Sequence, residues 1–232
     1  MVHAMTAKPN TFGVFAAKLA GIKRVVCLVS GRGRLFERGA GVIDSCFKWG
    51  GKLLYKLGLH LADRTWFQNQ DDLNYFVKQK LIQPQDALLI KSGGINVEEF
   101  SPTSVSLKET QKLKQELDIP LDSRCVVMIA ARMIYPKGIL EFLTSAKQLA
   151  TAYPNWYFIL LAPHDPEEPD AVPPEKIKLP SGTNIRIVDK FRDDVKIFVA
   201  MADAVTLPSY YFEGVPRSLT EALAMGKPIV TT

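Results

Sequence analysis

Along the whole chain, short apolar runs rich in Val, Ile, Leu and Phe alternate with longer stretches whose apolar positions recur every three or four residues. In the first part this pattern predicts helices over 11–20, 45–61 and 71–80, and strands over 24–30, 64–68 and 87–91, the last running into Ser92-Gly93-Gly94. Ser101-Pro102 and a Lys/Glu-rich helix over 107–117, ended by Ile119-Pro120, separate off a second series. That series reads as strand 125–131, helix 138–152, strand 156–162, a Pro- and Glu-rich loop over 163–180, strand 184–188, helix 193–202, strand 204–207, helix 217–225 and strand 228–231.

Strands that alternate with helical crossovers form parallel sheets, so the fold class is α/β with two Rossmann-like domains. The boundary is placed near residue 103, giving a partial amino-terminal domain over 1–103 and a carboxyl-terminal domain over 104–232. Both read as incomplete: the first opens at a strand end, and the second stops directly after an apparent core strand, lacking its last elements. No heptad, low-complexity tract or repeat of 20 to 50 residues interrupts the alternation. In a doubly wound sheet the ligand sits at the carboxyl ends of strands, here just after Ala131, Ala162, Val188 and Leu207.

Composition narrows the function classes. The 29 Lys+Arg against 24 Asp+Glu leave a mild excess of +5 with no long single-sign block, a surface that suits diphosphates or an acidic lipid leaflet. Nucleic acid is not an expected partner, because no zinc-finger, homeodomain or RNP-type pattern occurs. Cys27, Cys46 and Cys125 are widely spaced without a CxxC, which points to neither a disulfide framework nor a zinc site and fits a reduced, cytoplasmic compartment. The longest apolar runs, 125–131 and 156–162, are far below the roughly 18 to 20 residues that span a bilayer. The start of the chain has no signal-peptide layout.

The stretch Leu207 to Thr232, LPSYYFEGVPRSLTEALAMGKPIVTT, carries the densest chemistry. A strand ends at Leu207, a short loop holds Glu213 and Gly214, and Pro216 stands where a helix begins. Backbone N–H groups at such a helix start, including those of Gly214 and Val215, form an anion site, and Gly214 lets a ligand approach the main chain. Glu221 sits among apolar and small neighbours; alone it reads equally as a solvent-facing helix residue, and Glu213 alone as an ordinary loop acid. Arg132 and Lys137 follow the first strand of the second domain, where two cations either converge on a diphosphate or remain solvated surface.

Glu213 and Glu221 are separated by seven residues, and the pair resembles the E-x7-E motif of retaining glycosyltransferases, family 4, with Gly226-Lys227-Pro228 continuing the family's ending. Arg132 to Gly138 is similar to the family's R-x4-KG segment. Lys8-Pro9-Asn10, Ser30-Gly31-Arg32-Gly33, Gln68-Asn69-Gln70-Asp71-Asp72, the segment 94–102 and Phe191-Arg192-Asp193-Asp194-Val195 resemble family segments in family order, in the branch that builds capsule and O-antigen polysaccharide. The resemblance implies a GT-B fold and transfer of a sugar, with retention, from a nucleotide-diphosphate sugar to a hydroxyl of a glycan or lipid-linked acceptor. It assigns Arg132 and Lys137 to the diphosphate and the main chain of Gly214 and Val215 to the same anion. It assigns Glu213 to the donor sugar at the reacting face and Glu221 to the ribose hydroxyls. No cofactor and no metal are expected, and the enzyme would act in the cytoplasm with room for a peripheral contact at the inner face of the membrane. Lys8, Arg32 and Arg34 are candidates to meet a lipid-linked phosphate. A non-catalytic remnant and a nucleotide-sugar epimerase of the same architecture stand as the alternatives.

Two departures matter. Family members carry a His-Thr-Pro or His-Glu-Pro near this point, where this chain reads Met5-Thr6-Ala7. His3, two positions away and expected on the opposite face of a strand, does not take over the role. His164-Asp165-Pro166-Glu167-Glu168 replaces the usual Gly-rich turn and reads as a surface loop, since His3, His60 and His164 have no ligand spacing.

Overall fold

The structure is a computed structural model that describes residues 1–36, 42–91, 94–180, 182–211 and 213–232, with backbone alone at 34 and 42–44. Ser92 and Gly93, expected to end a strand, lie outside the described residues, as does the side chain of Arg34. Packing divides the chain into two compact units, Met1–Gly94 with Phe212–Val215, and Ile95–Tyr211 with Pro216–Thr232. The division falls at Gly94/Ile95, ahead of the polar stretch near residue 103, because Phe100 is buried in the second core and Ile95 packs against it.

In the first unit β1 (Val2–Met5), β2 (Val25–Val29), β3 (Arg64–Phe67) and β4 (Ala87–Leu89) form a parallel sheet in that order. Its helices are α1 (Val14–Leu19), α2 (Val42–Leu61) and α3 (Gln70–Lys78). β2 is apolar throughout, as a central parallel strand covered on both faces requires. β1 did not emerge from the pattern, since four residues with a histidine give no period; pairing Val2–Met5 against Val25–Leu28 makes it a strand. The helix expected over 11–20 begins earlier, as a π-type turn over Pro9–Gly13 in which the Val14 N–H reaches the Pro9 carbonyl. Pro9 suits that first position, having no N–H to lose.

The second unit follows the expected order closely: α4 (Leu107–Glu116), β5 (Arg124–Ile129), α5 (Ile139–Ala152), β6 (Trp156–Leu161), β7 (Ile185–Val188), α6 (Val195–Met201), β8 (Ala204–Leu207), α7 (Arg217–Ala224) and β9 (Ile229–Thr231). Ser106 and Glu109 close a reciprocal cap on α4. The parallel sheet runs β7-β6-β5-β8-β9, so the chain builds outward from β5 in one direction and then returns to build in the other.

One device starts a strand in both units. Asp63 donates its N–H to the Val25 carbonyl at 2.8 Å and accepts the Val25 N–H on its carboxylate at 2.7 Å. Asp203 does the same with Cys125, both bonds at 2.8 Å. Each Asp precedes a strand and fixes its register to the neighbour that entered the sheet earlier. The Val25 N–H holds the Asp63 carboxyl below its ordinary value, with Lys18 adding to the effect.

Two glycines of α2 separate helix propensity from packing. A β-carbon at Gly50 would meet nothing within 4 Å, whereas one at Gly58 would lie 2.1 Å from the Asn10 carbonyl. Gly50→Ala should therefore raise stability by up to about 1 kcal/mol, while Gly58→Ala should lower it by about 1–3 kcal/mol. Urea unfolding of both variants checks the opposite signs.

Candidate functional site

The strand order reverses between β5 and β8, and such a reversal leaves the loops after those two strands side by side at the carboxyl edge of the sheet. They are joined by one acceptor. The Pro136 carbonyl receives the Tyr210 N–H at 3.0 Å, the Tyr211 N–H at 3.1 Å and the Ser209 hydroxyl at 3.2 Å. Gly138 lets the loops meet: its φ is +77°, and a β-carbon there would stand 2.1 Å from the Pro208 carbonyl oxygen. Of the addresses read from the sequence, those after Ala131 and Leu207 are the two that flank the reversal.

Arg132 and Lys137 come together on this edge around Tyr211. The Arg132 side chain hydrogen-bonds the Tyr211 side chain, and the Lys137 ammonium lies 5.5 Å from the centre of the Tyr211 ring. Lys137 is buried. Arg132 donates to Glu168 at 2.8 Å, and this carboxylate is the chief reason the guanidinium is held in its charged form. Glu168 is brought there by the loop after β6, which is not loose: Ile134 and Ala171 form a bridge, the Val172 N–H bonds the Met133 carbonyl, and His164 Nε2 bonds the Val172 carbonyl at 3.0 Å. His164 therefore ties the loop together, which is a structural task.

Sequence reasoning passed over Tyr211 and Glu168. Tyr211 had a signal, an aromatic pair directly before the acidic loop. Glu168 had none, since only the β5–β6 pairing brings its loop to Arg132.

Glu221 is buried at 8% exposure, so the solvent-face reading does not hold. Its amphipathic helix turns Leu219 and Ala222 into the core along with it. Its ion-pair partner is Arg217, one turn earlier on the same helix, at 3.3 Å. Arg217 is itself 80% exposed. Burial pushes the Glu221 carboxyl above its ordinary value, outweighing Arg217, and Glu99 adds to the rise.

Glu213, Gly214 and Val215 pack with the first unit. Asn69, which caps α3 by accepting the Asp72 N–H, donates its amide to the Glu213 and Gly214 carbonyls at 3.3 and 3.2 Å. A β-carbon at Gly214 would lie 2.3 Å from the Ser30 carbonyl oxygen, so protein already occupies the space that the sequence reading left to a ligand. Arg32, a candidate for an acceptor phosphate, is engaged internally: it pairs with buried Asp72 at 2.9 Å and lies over the Tyr75 ring at 4.8 Å. Lys8 is exposed at the start of the π-type turn. His3 shares the exposed face of β1 with Met5, two residues apart, rather than the opposite face, and its ring meets Trp66 edge-on at 5.5 Å. Arg192, in a segment of family type, pairs with Asp194 at 2.7 Å and with Glu116, which makes it a brace between loop and α4.

The second unit is thus a Rossmann-like domain with two cations gathered at its topological reversal. Residues 124–232, from β5 onward, match the family described as Glycosyl transferases group 1. The whole chain is 31% identical over 231 residues to the N,N'-diacetylbacillosaminyl-diphospho-undecaprenol alpha-1,3-N-acetylgalactosaminyltransferase of Campylobacter jejuni, covering 58% of that protein. It is 22% identical over 241 residues to the UDP-Gal:alpha-D-GlcNAc-diphosphoundecaprenol alpha-1,3-galactosyltransferase of Escherichia coli, covering 57% of it. The chain therefore spans less than two thirds of the curated relatives it matches. Among solved structures, Anabaena Alr3699/HepE in complex with UDP and glucose shares the fold with a TM-score of 0.76 at 20% identity, covering 99% of this chain and 58% of that one. The fold is of the α/β kind with parallel sheets expected for GT-B proteins.

Because the Glu221 carboxyl titrates above 4.5 when folded, the stability it contributes is present below that value and is lost as pH rises through its folded pKa. Glu221→Gln should therefore match the parent in acid and be the more stable of the two at neutral pH. Thermal unfolding across pH measures this, and a less stable variant at pH 7 would show that the Arg217 pair outweighs burial.

Proposed function

We propose that this chain forms the donor-binding domain and part of the acceptor-side domain of a retaining glycosyltransferase. The enzyme would move a sugar from a nucleotide-diphosphate sugar to a hydroxyl of a glycan or lipid-linked acceptor in surface polysaccharide synthesis. The observation that carries this reading is the gathering of Arg132 and Lys137 around Tyr211 where the strand order reverses. Both curated relatives are named for transfer to a sugar on diphospho-undecaprenol, and the Anabaena protein was solved with UDP, which favours a UDP-sugar as donor.

The chemistry needs charge in one place. As the anomeric carbon becomes cationic, negative charge collects on the departing diphosphate, and fixed cations aimed at it lower the barrier because they need no reorganisation. Arg132 offers a planar fork and Lys137 a point charge. To bind, the diphosphate takes the place of Glu168 on Arg132, exchanging one anion for another at an already positive position. The cations fill the role that a divalent ion has in other transferases, so the reaction as proposed uses no metal. Glu213 takes donor-sugar hydroxyls, and Glu221, ionised, accepts from the ribose hydroxyls. Lys8 is the remaining described candidate for an acceptor phosphate, the Arg32 charge being balanced by Asp72. The reading places the enzyme in the cytoplasm, in peripheral contact with the membrane that holds its acceptor; among the described residues no helix is long and apolar enough to cross it.

Titration calorimetry of the chain with uridine and guanosine diphosphates tests the donor site. Uridine diphosphate should bind in the micromolar range, and Arg132→Ala and Lys137→Ala should each weaken it by about 10- to 100-fold, the effect of losing one charge-assisted contact. Absence of binding to either nucleotide, or unchanged affinity in both variants, would remove the donor-site assignment, and an epimerised sugar as product would replace transfer with epimerisation.

A further inference from the structure

Arg217 and Glu221 stand against the ordinary preferences of the helix that carries them. Arg217 opens α7 (Arg217–Ala224), whose first turn holds no acid. The positive end of a helix dipole disfavours a cation at that position. In a pair four residues apart the acid belongs on the amino-terminal side, and here the order is reversed. Glu221 is the costlier of the two, because its side chain is buried beside Leu219 and Ala222, whereas Arg217 stands in water apart from its 3.3 Å contact with the carboxylate. The stability of the fold explains neither placement.

The surroundings of the carboxylate leave it one cation. Among the described residues the charged groups that act on it are Arg217, which favours its ionisation, and Glu99, from the segment before α4, which opposes it. Burial opposes ionisation more strongly than Arg217 favours it. The Arg217 contact is made at Oε1. A neighbouring pair of hydroxyls needs acceptors on both oxygens, which the ionised group supplies and the protonated group, with one oxygen turned donor, does not.

We propose that Arg217 is a positioning residue for the donor, which keeps the Glu221 carboxylate charged and held at Oε1 for the two ribose hydroxyls and does not itself touch the nucleotide. The inference rests on the assignment of Glu221 to the ribose. It makes recognition of the ribose, and not of the diphosphate, the property that depends on Arg217. Without the guanidinium the carboxyl titrates higher still, so ribose recognition is lost first in mild acid and returns as pH rises through the folded value.

Calorimetry of the 232-residue chain with uridine diphosphate and with dideoxyuridine diphosphate, which lacks both ribose hydroxyls, tests this. Both ligands carry the same diphosphate, so their affinity ratio reports the hydroxyls alone. The parent should prefer uridine diphosphate by about 10- to 100-fold, the range of hydrogen bonds to a charged group, and Glu221→Gln should lose that preference. Arg217→Gln should lose about tenfold of it at about pH 6 and recover to within about threefold of the parent at about pH 8.5, with affinity for the dideoxy ligand unchanged. Arg217→Lys should restore most of the preference, because the ammonium keeps the charge. Arg217 is largely exposed, so its replacement leaves no cavity. An Arg217→Gln variant that keeps the parent ratio at every pH, weakens both ligands equally, or loses the preference in a way that pH does not reverse would overturn the proposal alone. A parent without the preference, a Glu221→Gln variant that retains it, or a parent that binds neither ligand would overturn the ribose assignment and the proposal together.

Discussion

Three donors share the carbonyl of Pro136, and the candidate site depends on that arrangement. The loop after β8 carries Tyr211, and the loop after β5 carries Arg132 and Lys137. Each loop alone would be a flexible surface segment, because the chain has no reason to hold a lysine and an arginine near each other. Clamped at Pro136 and closed against Gly138, they present two cations at a set separation. Gly138 is essential to this, since its left-handed backbone starts α5 directly beneath Pro208, where a side chain would collide with main chain. A preformed cluster of positive charge meets an anion without first having to order itself.

The same edge shows how two neighbouring cations are held together. Isolated, Arg132 and Lys137 would repel each other close to a low-dielectric sheet end. Glu168 offsets that repulsion from the neighbouring loop, and its own loop is fixed by the short bridge at Ile134 and Ala171. The Pro- and Glu-rich segment is thus part of the architecture of the site. Its prolines limit the conformations available to a segment with little regular structure, so a carboxylate arrives at a defined point.

Most of the fold was legible in the sequence because parallel strands covered on both faces read as continuous apolar runs, and β2, β5 and β6 are of this kind. Arg132 and Lys137 were legible for the same reason: the end of β5 could be located, and the cations follow it. What stayed hidden depended on pairing between distant segments. β1 exists only because β2 offers an edge, and Glu168 reaches Arg132 only because β6 lies beside β5. The burial of Glu221 was ambiguous, since a helix glutamate with small neighbours suits either face until the sheet beneath it is known. Gly214 was read as room for a ligand, but Ser30 occupies that space. The face argument for His3 failed on a simple count, because residues two apart on a strand point the same way.

The two units use the same Asp lock, and in each the partner strand carries a buried cysteine, Cys27 in the middle of β2 and Cys125 second in β5. Burial pushes the Cys27 thiol up to about 12 and that of Cys125 up to about 11, so neither forms appreciable thiolate at neutral pH. Cys46 alone is exposed, on α2. The folded chain therefore has a built-in attachment point: a maleimide dye or spin label added without mutagenesis reacts at one position.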